Sequence, residues 1–536
     1  MDDASNKHTQ PIETTTFLEW PAQFTPGVAE VVTASWDYGF GKRQHTHLLL
    51  PQSETEGMLR ASEKTVTLDR PGNPLRRYDT NFIAGNKRTE DAHAVEILSS
   101  DDLPYSATEQ EAGNGKSFWE RWRDVKLKIS GEGSQLQSEL GNGSKDIVMA
   151  SVFDGHNDTH VLSELLSKTL HATLARNLGI QRQHQDSGMD DATRIKAVKS
   201  LISDTYQAFE AELEAAPKLL TSGKLRYDSN PLLPDPSPVL FGLSMFMKAR
   251  STALTALLDT EHDDLYVANA GDCRCVAGWF NPSTNEWRCD TLSNDHIGDN
   301  PSEEQRYRDL HPNDDPDRLV INNGFDKRGL GIVQTLRAFG NYNVRFLSEC
   351  WQSICETFQL PLGDFTITGS DTSPPYMDTE PEVAHRKLRS DSGENLKFLI
   401  LGSDGVFDRV TSEEATLLMA AYLEHKDPAP ITKTDLPSRF SLSDPPAERP
   451  WPDEPLPGTS GRDIGQWVFS DEKNAATHII RNSLPGHGDP AVHHMALSLR
   501  DRAARQFRDD MTAVVLFFGD DGPALTSNEA TANGSV

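Results

Sequence analysis

Short apolar, β-branched runs that end or begin at an aspartate constrain the fold of this chain most. They are the segments 147–153 before Asp154, 396–401 before Asp404, and 511–518 after Asp509. Segments 251–258 and 265–270 add a pair joined by the polar turn DTEHDD, and the second of them leads into Asp272. Runs of this length and residue type are typical of buried strands, and such short joins are typical of hairpins. The pattern therefore predicts antiparallel sheets.

Between these runs, apolar residues recur at helical spacing. One stripe runs from Val161 to Leu174 and predicts a helix that ends at Gly179. A second helix is predicted from Ile195 to about Leu213. Thr411 and Glu414 have the spacing of a capping box at the start of a third helix. Helices interleaved with antiparallel strands predict an α+β fold in which helices cover the sheets.

Composition along the chain predicts one large domain. Residues 1–79 form an N-terminal segment of unclear structure, residues 80–519 the domain, and residues 520–536 a disordered tail. Long polar stretches without a strand or helix pattern are predicted to be insertions in the domain: about 99–143, 181–190, 224–237, 364–391 and 426–462.

Charge and composition exclude several functional classes. Lys and Arg number 52 against 81 Asp and Glu, a net charge of −29, which disfavours binding to nucleic acid or to anionic lipid. No apolar run approaches the ~18 residues of a membrane span. The five cysteines show no zinc spacing, which favours a reducing compartment. Without a signal or transit peptide pattern at the N-terminus, we expect a soluble intracellular protein that neither binds nucleic acid nor inserts into a membrane.

Acidic residues at the ends of the β-type runs predict a metal site. The four acidic elements are Glu90-Asp91, Asp154-Gly155-His156, Asp404 to Asp408, and Asp509-Asp510. The edges of the sheets would bring these elements together from distant parts of the chain. Hard oxygen ligands favour Mg²⁺ or Mn²⁺ over zinc, and divalent cations relieve the repulsion between crowded carboxylates.

Nine motifs, in order, resemble those of the metal-dependent protein Ser/Thr phosphatases of the PP2C (PPM) type. They are EDAH (90–93), VFDGH (152–156), STAL (251–254), VANAGDCR (267–274), LSNDH (292–296), NPSEE (300–304), LRAFGN (336–341), LILGSDGVFD (399–408) and RDDMTAVV (508–515). Two phrases, at 300–312 and 337–340, are most similar to the mitochondrial pyruvate dehydrogenase phosphatase branch. The resemblance implies a four-layer αββα sandwich of two antiparallel sheets flanked by helices. It also implies hydrolysis of phosphoserine and phosphothreonine in proteins by metal-activated water at a binuclear Mg²⁺ or Mn²⁺ centre.

The resemblance also assigns roles to residues. The implied metal ligands are Asp154, which bridges the two metals, the carbonyl of Gly155, Asp404, Asp509, Glu90 and Asp91. Asp272 and Asp408 match positions of a third, weaker metal site. His156 stands where an imidazole can protonate the leaving oxygen, which makes it the catalytic partner of the bridging aspartate. His93 and His296 are expected to orient neighbouring groups or to hydrogen-bond within the core.

Three motifs depart from the family pattern. Asn157-Asp158 replaces Gly-Gly after DGH, and Asn341 replaces the aspartate of RAxGD. Asn86 stands where many relatives have a phosphate-binding arginine, as it also does in the branch named above. Phosphate would then be held by the metals and Asn86, with Lys87 or Arg88 either assisting or lying in a solvated loop.

Other functions remain as alternatives at this point. A catalytically weak or dead pseudophosphatase, acting as a binding or scaffold protein, is favoured by the three departures but predicts loss of metal carboxylates that this chain retains. The segment 113–117 is similar to the end of a P-loop but lacks the first glycine and a preceding strand. We therefore expect a monomeric phosphatase of phosphorylated proteins, in the mitochondrial matrix if the branch resemblance holds and otherwise in the cytosol or nucleus.

Overall fold

The fold is known from a computed structural model. It describes residues 17–19, 31–37, 42–85, 88–103, 143–157, 159–184, 188–221, 249–324, 326–346, 351–352, 355–356, 373–390, 392–424, 429–443, 465–469, 473–486, 488–500, 504–505 and 507–519.

Strands are numbered in chain order. They are β1 Phe17–Glu19, β2 Val31–Asp37, β3 Lys42–Leu48, β4 Lys64–Thr67, β5 Leu75–Ile83, β6 Ala92–Ser99, β7 Asp146–Phe153, β8 Gly155–His156, β9 Arg250–Ser251, β10 Ala253–Asp259, β11 Asp264–Ala270, β12 Arg274–Asn281, β13 Glu286–Thr291, β14 Val320–Asn322, β15 Lys327–Gly329, β16 Phe339–Gly340, β17 Glu382–Lys387, β18 Asn395–Gly402, β19 Ile431–Thr432, β20 Gln466–Trp467 and β21 Met511–Phe518.

Helices are numbered in the same way. They are α1 Gln52–Arg60, α2 Val161–Gln183, α3 Asp191–Thr221, α4 Pro301–Leu310, α5 Pro316–Leu319, α6 Asp404–Phe407, α7 Ser412–Glu424, α8 Leu436–Arg439, α9 Ala475–Asn482 and α10 Pro490–Ser498. Short 3₁₀ turns lie at Ser100–Asp102, Gly143–Lys145 and Tyr342–Val344.

Two antiparallel sheets form the centre of the domain. The five-stranded sheet has the order β17-β11-β10-β7-β6, and the six-stranded sheet has the order β13-β12-β18-β21-β5-β4. The final strand, β21, therefore lies between β18 and β5 in the middle of the larger sheet. Strands β1, β2 and β3 form a separate three-stranded sheet. The predicted α+β class, with antiparallel sheets and flanking helices, is confirmed.

The side chains of each strand alternate between two cores, which stacks the molecule in four layers. In β10, Leu254 and Leu258 face the core between the two sheets, whereas Leu257 faces a second core formed with α2 and α3. In β18, Leu399 faces the core between the sheets, and Ile400 faces a third core formed with α7 and α9. This period of two is the geometry of strands buried on both faces. The layers are helices, sheet, sheet and helices.

Tertiary contacts override the predicted end of the first long helix. α2 continues through Gly179 to Gln183, so the prediction of a stop at Gly179 was wrong. Leu178 is buried in the core beneath the five-stranded sheet, and Arg182 donates to Asp259 at 2.5 Å. These contacts anchor the last turn and outweigh the low helix propensity of one glycine.

The capping box at the start of α7 has the predicted geometry. The backbone N–H of Thr411 donates to Glu414 Oε2 at 2.9 Å, and the backbone N–H of Glu414 donates to Thr411 Oγ1 at 3.0 Å. The two reciprocal bonds satisfy donors that the first turn of a helix otherwise leaves without partners.

The domain begins earlier in the chain than the sequence indicated. The predicted boundary between residues 79 and 80 falls inside β5, which pairs with both β4 and β21 in the six-stranded sheet. Two of the predicted insertions also contain regular structure. Glu382–Lys387 pairs with β11 as an edge strand, and Ile431–Thr432 pairs with Gln466–Trp467. The tail 520–536 and residues 104–142 lie outside the described residues.

Strand direction brings the acidic elements to one end of the sandwich. β7 and β11 run parallel to each other across β10, and β6 runs antiparallel to β7. The residues that follow β7 and β11 and precede β6 therefore share one edge of the five-stranded sheet. In the other sheet, the end of β18 lies beside the start of the antiparallel β21.

Substitution of Gly278 by alanine should destabilise the domain. A Cβ at this position of β12 would lie 2.1 Å from Phe398 Cζ in the neighbouring strand β18. Overpacking of this kind costs about 1–3 kcal/mol in free energy of unfolding. Denaturant unfolding would measure this loss of stability. The control is Gly57→Ala in α1, which should not destabilise the chain, because nothing lies within 4 Å of the new Cβ and alanine is the better helix former. Equal stability of Gly278→Ala and the native chain would contradict this packing.

Candidate metal centre

Three of the predicted site residues form a cluster that can hold a metal ion. Asp154 follows β7, His156 lies in β8, and Asp404 begins α6 directly after β18. One ligand atom from each of these side chains lies within 4.8 Å of the others. The cluster joins the ends of the two sheets, as the positions of the acidic residues along the chain predicted.

Glycines allow the acidic loops to cross at short distance. A Cβ on Gly155 would lie 2.1 Å from the carbonyl oxygen of Glu90, and a Cβ on Gly405 would lie 2.1 Å from the carbonyl oxygen of Asp510. Any side chain at either position would push the loops apart. The glycines that follow Asp154 and Asp404 therefore have a packing role in the site.

Asp510 positions the loop that carries Glu90 and Asp91. Its buried carboxylate accepts hydrogen bonds from the backbone N–H of Gly85 at 2.5 Å and of Glu90 at 2.6 Å. The sequence analysis gave a role only to its neighbour Asp509. The side chains of consecutive residues at the start of a strand point in opposite directions. This alternation could have indicated that Asp509 and Asp510 have different roles.

Asp509 occupies a more open position than the other acidic residues. Its side chain is 31% exposed and forms an ion pair with Arg505, and its Oδ1 accepts the backbone N–H of Asp510 at 2.6 Å. A Cβ on Gly405 would lie 3.1 Å from the Cβ of Asp509, so this residue adjoins the start of α6. Arg505 had no role in the sequence analysis, because its neighbourhood lacks any recognisable pattern.

Burial and mutual repulsion disfavour ionisation of the central carboxyl groups. Burial, together with the charge of Asp510, raises the pKa of Asp91 to about 7. Burial and then the charge of Asp404 raise the pKa of Asp154 and of Asp272. Burial and neighbouring charges thus disfavour the ionised form of each group, and a bound cation would stabilise that form.

The donor set fits hard divalent cations. Among the described residues, Asp154 Oδ2 and Asp272 Oδ1 are buried and have no hydrogen-bond partner. Buried carboxylate oxygens without partners are rare unless a ligand or ion completes them. Because the donors are mainly carboxylate oxygens, with one imidazole, Mg²⁺ and Mn²⁺ suit the cluster better than soft metals.

The residues predicted for a third metal site line one pocket. Asp272, Asp404 and Asp408 face it together with Asp295, which the sequence analysis did not select. Arg274 also lines the pocket and donates to Asp295 at 2.5 Å and 3.2 Å.

Two predicted histidines lie in the protein interior. His296 Nδ1 accepts the backbone N–H of Gly271 at 3.2 Å and so fixes the turn before Asp272. His93 in β6 packs against Phe82, and burial lowers its pKa to about 4. Both therefore have positioning or packing contacts in the described residues.

His156 is largely enclosed beside Asp154. Its Nδ1 lies 3.5 Å from Asp154 Oδ1. Burial lowers the pKa of His156 well below its ordinary value, and the positive charges of Arg250 and Arg505 lower it further. The ring is therefore uncharged at neutral pH, a state in which it can ligate a metal or accept a hydrogen bond. Its use as a general acid stays a prediction.

Backbone geometry explains two departures from the family pattern. Asn157 has φ 74° and Asn341 has φ 59°, both in the left-handed region. Asparagine is among the non-glycine residues that tolerate this conformation best. At position 157 asparagine therefore adopts a backbone conformation that glycine also adopts without strain. Asn86, Lys87 and Asp158 lie outside the described residues.

Comparisons with known proteins identify the relatives of this chain. The family described as protein phosphatase 2C matches residues 246–434. The [pyruvate dehydrogenase [acetyl-transferring]]-phosphatase 1 of Saccharomyces cerevisiae is 30% identical over 492 residues, covering 90% of this chain and 75% of that protein. The corresponding human phosphatase 2 is 27% identical over 514 residues, covering 88% and 84%. A solved serine-threonine phosphatase 2C from Toxoplasma gondii has a TM-score of 0.42 and 15% identity, covering 85% of this chain and 99% of that chain.

The fold and the acidic site thus define a metal-dependent protein phosphatase, and the chain belongs to the protein phosphatase 2C family. The two curated relatives named above are both pyruvate dehydrogenase phosphatases, which confirms the branch that the sequence motifs indicated. Within the part of the chain that the structure describes, no helix has the length and apolarity needed to cross a membrane.

Metal removal should make stability strongly dependent on pH. The raised pKa values of Asp91, Asp154 and Asp272 mean that the folded state binds protons more tightly than the unfolded chain. Without metal, these groups lower stability as pH rises from about 4 towards 7. We therefore expect Mn²⁺ to raise the melting temperature, relative to the protein in EDTA, by more at about pH 8 than at about pH 5.5. Equal rises at both pH values would contradict a carboxylate metal site.

Proposed function

We propose that this phosphatase hydrolyses phosphoserine and phosphothreonine in proteins at a binuclear Mg²⁺ or Mn²⁺ centre. The observation that carries the proposal is the cluster of Asp154, His156 and Asp404, with a buried oxygen of Asp154 left without a hydrogen-bond partner. The residues that would hold the metals are Asp154, the carbonyl of Gly155, Asp404, Asp509, Glu90 and Asp91. Asp272 and Asp408 would hold a third, weaker ion.

The chain's own groups prepare this site in three ways. Asp154 and Asp404 present carboxylates from different sheets, so the sandwich itself sets their spacing. Asp510 fixes the loop of Glu90 through two backbone hydrogen bonds. When bound, two divalent cations supply a water of lowered pKa for in-line attack and offset the charge that develops on the phosphoryl oxygens.

His156 is the proposed donor of the proton to the leaving seryl or threonyl oxygen. Its position beside Asp154 suits this role, and its uncharged state at neutral pH means that the protonated ring is the minor form there. Because the pKa of His156 is lowered, activity that depends on its protonated form would decline as pH rises from the acidic range towards neutrality.

Replacement of a metal carboxylate should abolish the activity. Asp404→Asn keeps the shape of the side chain but weakens metal binding, so release of phosphate from a phosphothreonine peptide should fall by about 100-fold or more. Wild-type activity should appear with Mn²⁺ or Mg²⁺ and vanish with EDTA. Asp309→Asn, on an exposed position of α4, is the matched control and should keep full activity.

If the folded, metal-loaded wild-type chain releases no phosphate, the proposed enzymatic activity is wrong. The alternative, a pseudophosphatase that acts as a scaffold, would then be favoured. Asp404→Asn with unchanged activity would instead overturn the assignment of the metal ligands.

We further propose pyruvate dehydrogenase as the substrate and the mitochondrial matrix as the site of action. The support is the similarity to the yeast and human phosphatases that carry this substrate in their names. Purified enzyme should dephosphorylate phosphorylated pyruvate dehydrogenase with a kcat/KM at least about tenfold above that for phosphorylated casein. Equal values for the two substrates would contradict this substrate and indicate a phosphatase of broad specificity.

A further inference from the structure

The cation that binds the substrate phosphate is not evident from the family pattern. Asn86 takes the place of the usual arginine. Arg88, which the sequence offered as an assistant, has a side chain that is 67% exposed and lies 3.8 Å from Glu164 of α2. In this position Arg88 belongs to the protein surface next to the helix.

Arg250 lies next to the metal cluster instead. It begins β9, which pairs with β8 so that Arg250 is directly opposite His156. Directly paired residues have Cβ atoms about 4.5–5.5 Å apart in antiparallel strands. Gly340 of β16 pairs with the other side of Arg250, so the backbone on both sides fixes its position.

The charge of Arg250 is attracted by nearby carboxylates but is not paired with any described one. Its Nε is buried and has no hydrogen-bond partner among the described residues. The guanidinium interacts electrostatically with Asp272, Asp154 and Asp404, but it forms no direct ion pair with these described carboxylates. Burial lowers the pKa of Arg250 in spite of their attraction, and Arg328 adds repulsion.

Other cations near the site already have partners. Arg505 is paired with Asp509, Arg274 donates to Asp295, and Arg328 pairs with Asp326 at 2.7 Å. An arginine stays charged at all relevant pH values, and leaving the buried Nε of this half-buried side chain without a partner is costly. The carboxylates near Arg250 are the proposed metal ligands. Arg250 therefore has room for a further anion as its hydrogen-bonding partner.

We propose that Arg250 binds the phosphoryl oxygens of the substrate, in place of the arginine that Asn86 replaces. The planar guanidinium can donate two parallel hydrogen bonds to a phosphate, which a lysine cannot do. Phosphate, as substrate group or product, supplies the missing anion and lies beside the carboxylates that would hold metal. This inference rests on the proposed phosphatase function and adds a substrate-binding residue to it.

Binding of inorganic phosphate to the Mn²⁺-loaded full chain, measured by isothermal titration calorimetry, tests the proposal without catalysis. Arg250→Gln should weaken phosphate binding by about 10- to 100-fold, the loss expected for charge-assisted hydrogen bonds. The number of Mn²⁺ ions bound should stay the same. Arg250→Lys keeps the charge and should retain part of the affinity, which covers the case in which Arg250→Gln fails to fold.

A matched control removes the same charge elsewhere. Arg389 is 83% exposed and lies 3.5 Å from Asp263, so Arg389→Gln should leave phosphate binding unchanged. In kinetics, Arg250→Gln should raise the KM for a phosphothreonine peptide and the inhibition constant of phosphate together.

Two results would overturn the proposal. Unchanged phosphate affinity in Arg250→Gln would assign the phosphate to other groups. If Arg250→Gln binds one more Mn²⁺ than the wild type and keeps its phosphate affinity, Arg250 acts instead as a counterion that takes the place of a third metal beside Asp272. A wild-type chain without metal-dependent hydrolysis would refute the proposed function, whereas an active wild type with either of these results refutes the role of Arg250 alone.

Discussion

The structure depends on holding several buried carboxyl groups together at one end of two stacked sheets. Their mutual repulsion and the loss of hydration oppose this arrangement, and the rest of the domain supplies the compensation. The three hydrophobic cores fix both sheets, so the strand ends cannot move apart to relieve the repulsion. Energy from packing thereby keeps the site ready for cations, which is the physical basis of metal dependence in this fold.

Precision in the site comes from backbone contacts as much as from the acidic side chains. The loops that carry the acids cross where Gly155 and Gly405 leave no room for a Cβ. Asp510 holds the loop at Glu90, and His296 holds the turn before Asp272. These groups surround the carboxylates and limit the geometries that they can adopt, so a substitution among them would alter the centre without removing any ligand.

Sequence patterns predicted antiparallel sheets covered by helices, and the acidic cluster, because both follow from local order, whereas the four layers were implied by the family resemblance. Alternation marks the strands, and each acid lies at a strand end, so Asp154 and Asp404 could be brought together by reasoning alone. Contacts between distant segments could not be predicted in this way. The bond from Glu90 to Asp510 joins residues 420 positions apart, and the neighbourhood of Arg250 depends on the pairing of three short strands. The end of α2 at Gln183 likewise depends on the tertiary contact between Arg182 and Asp259.

The position of β21 has a consequence for the order of events during biosynthesis. This last strand fills the gap between β18 and β5, and Asp509 and Asp510 stand at its start. A nascent chain that has not yet released these residues from the ribosome has two open strand edges in its larger sheet and an incomplete acidic cluster. Exposed strand edges favour aggregation, so both edges stay vulnerable until β21 has inserted between them. The insertion of β21 therefore completes the larger sheet and the acidic cluster together.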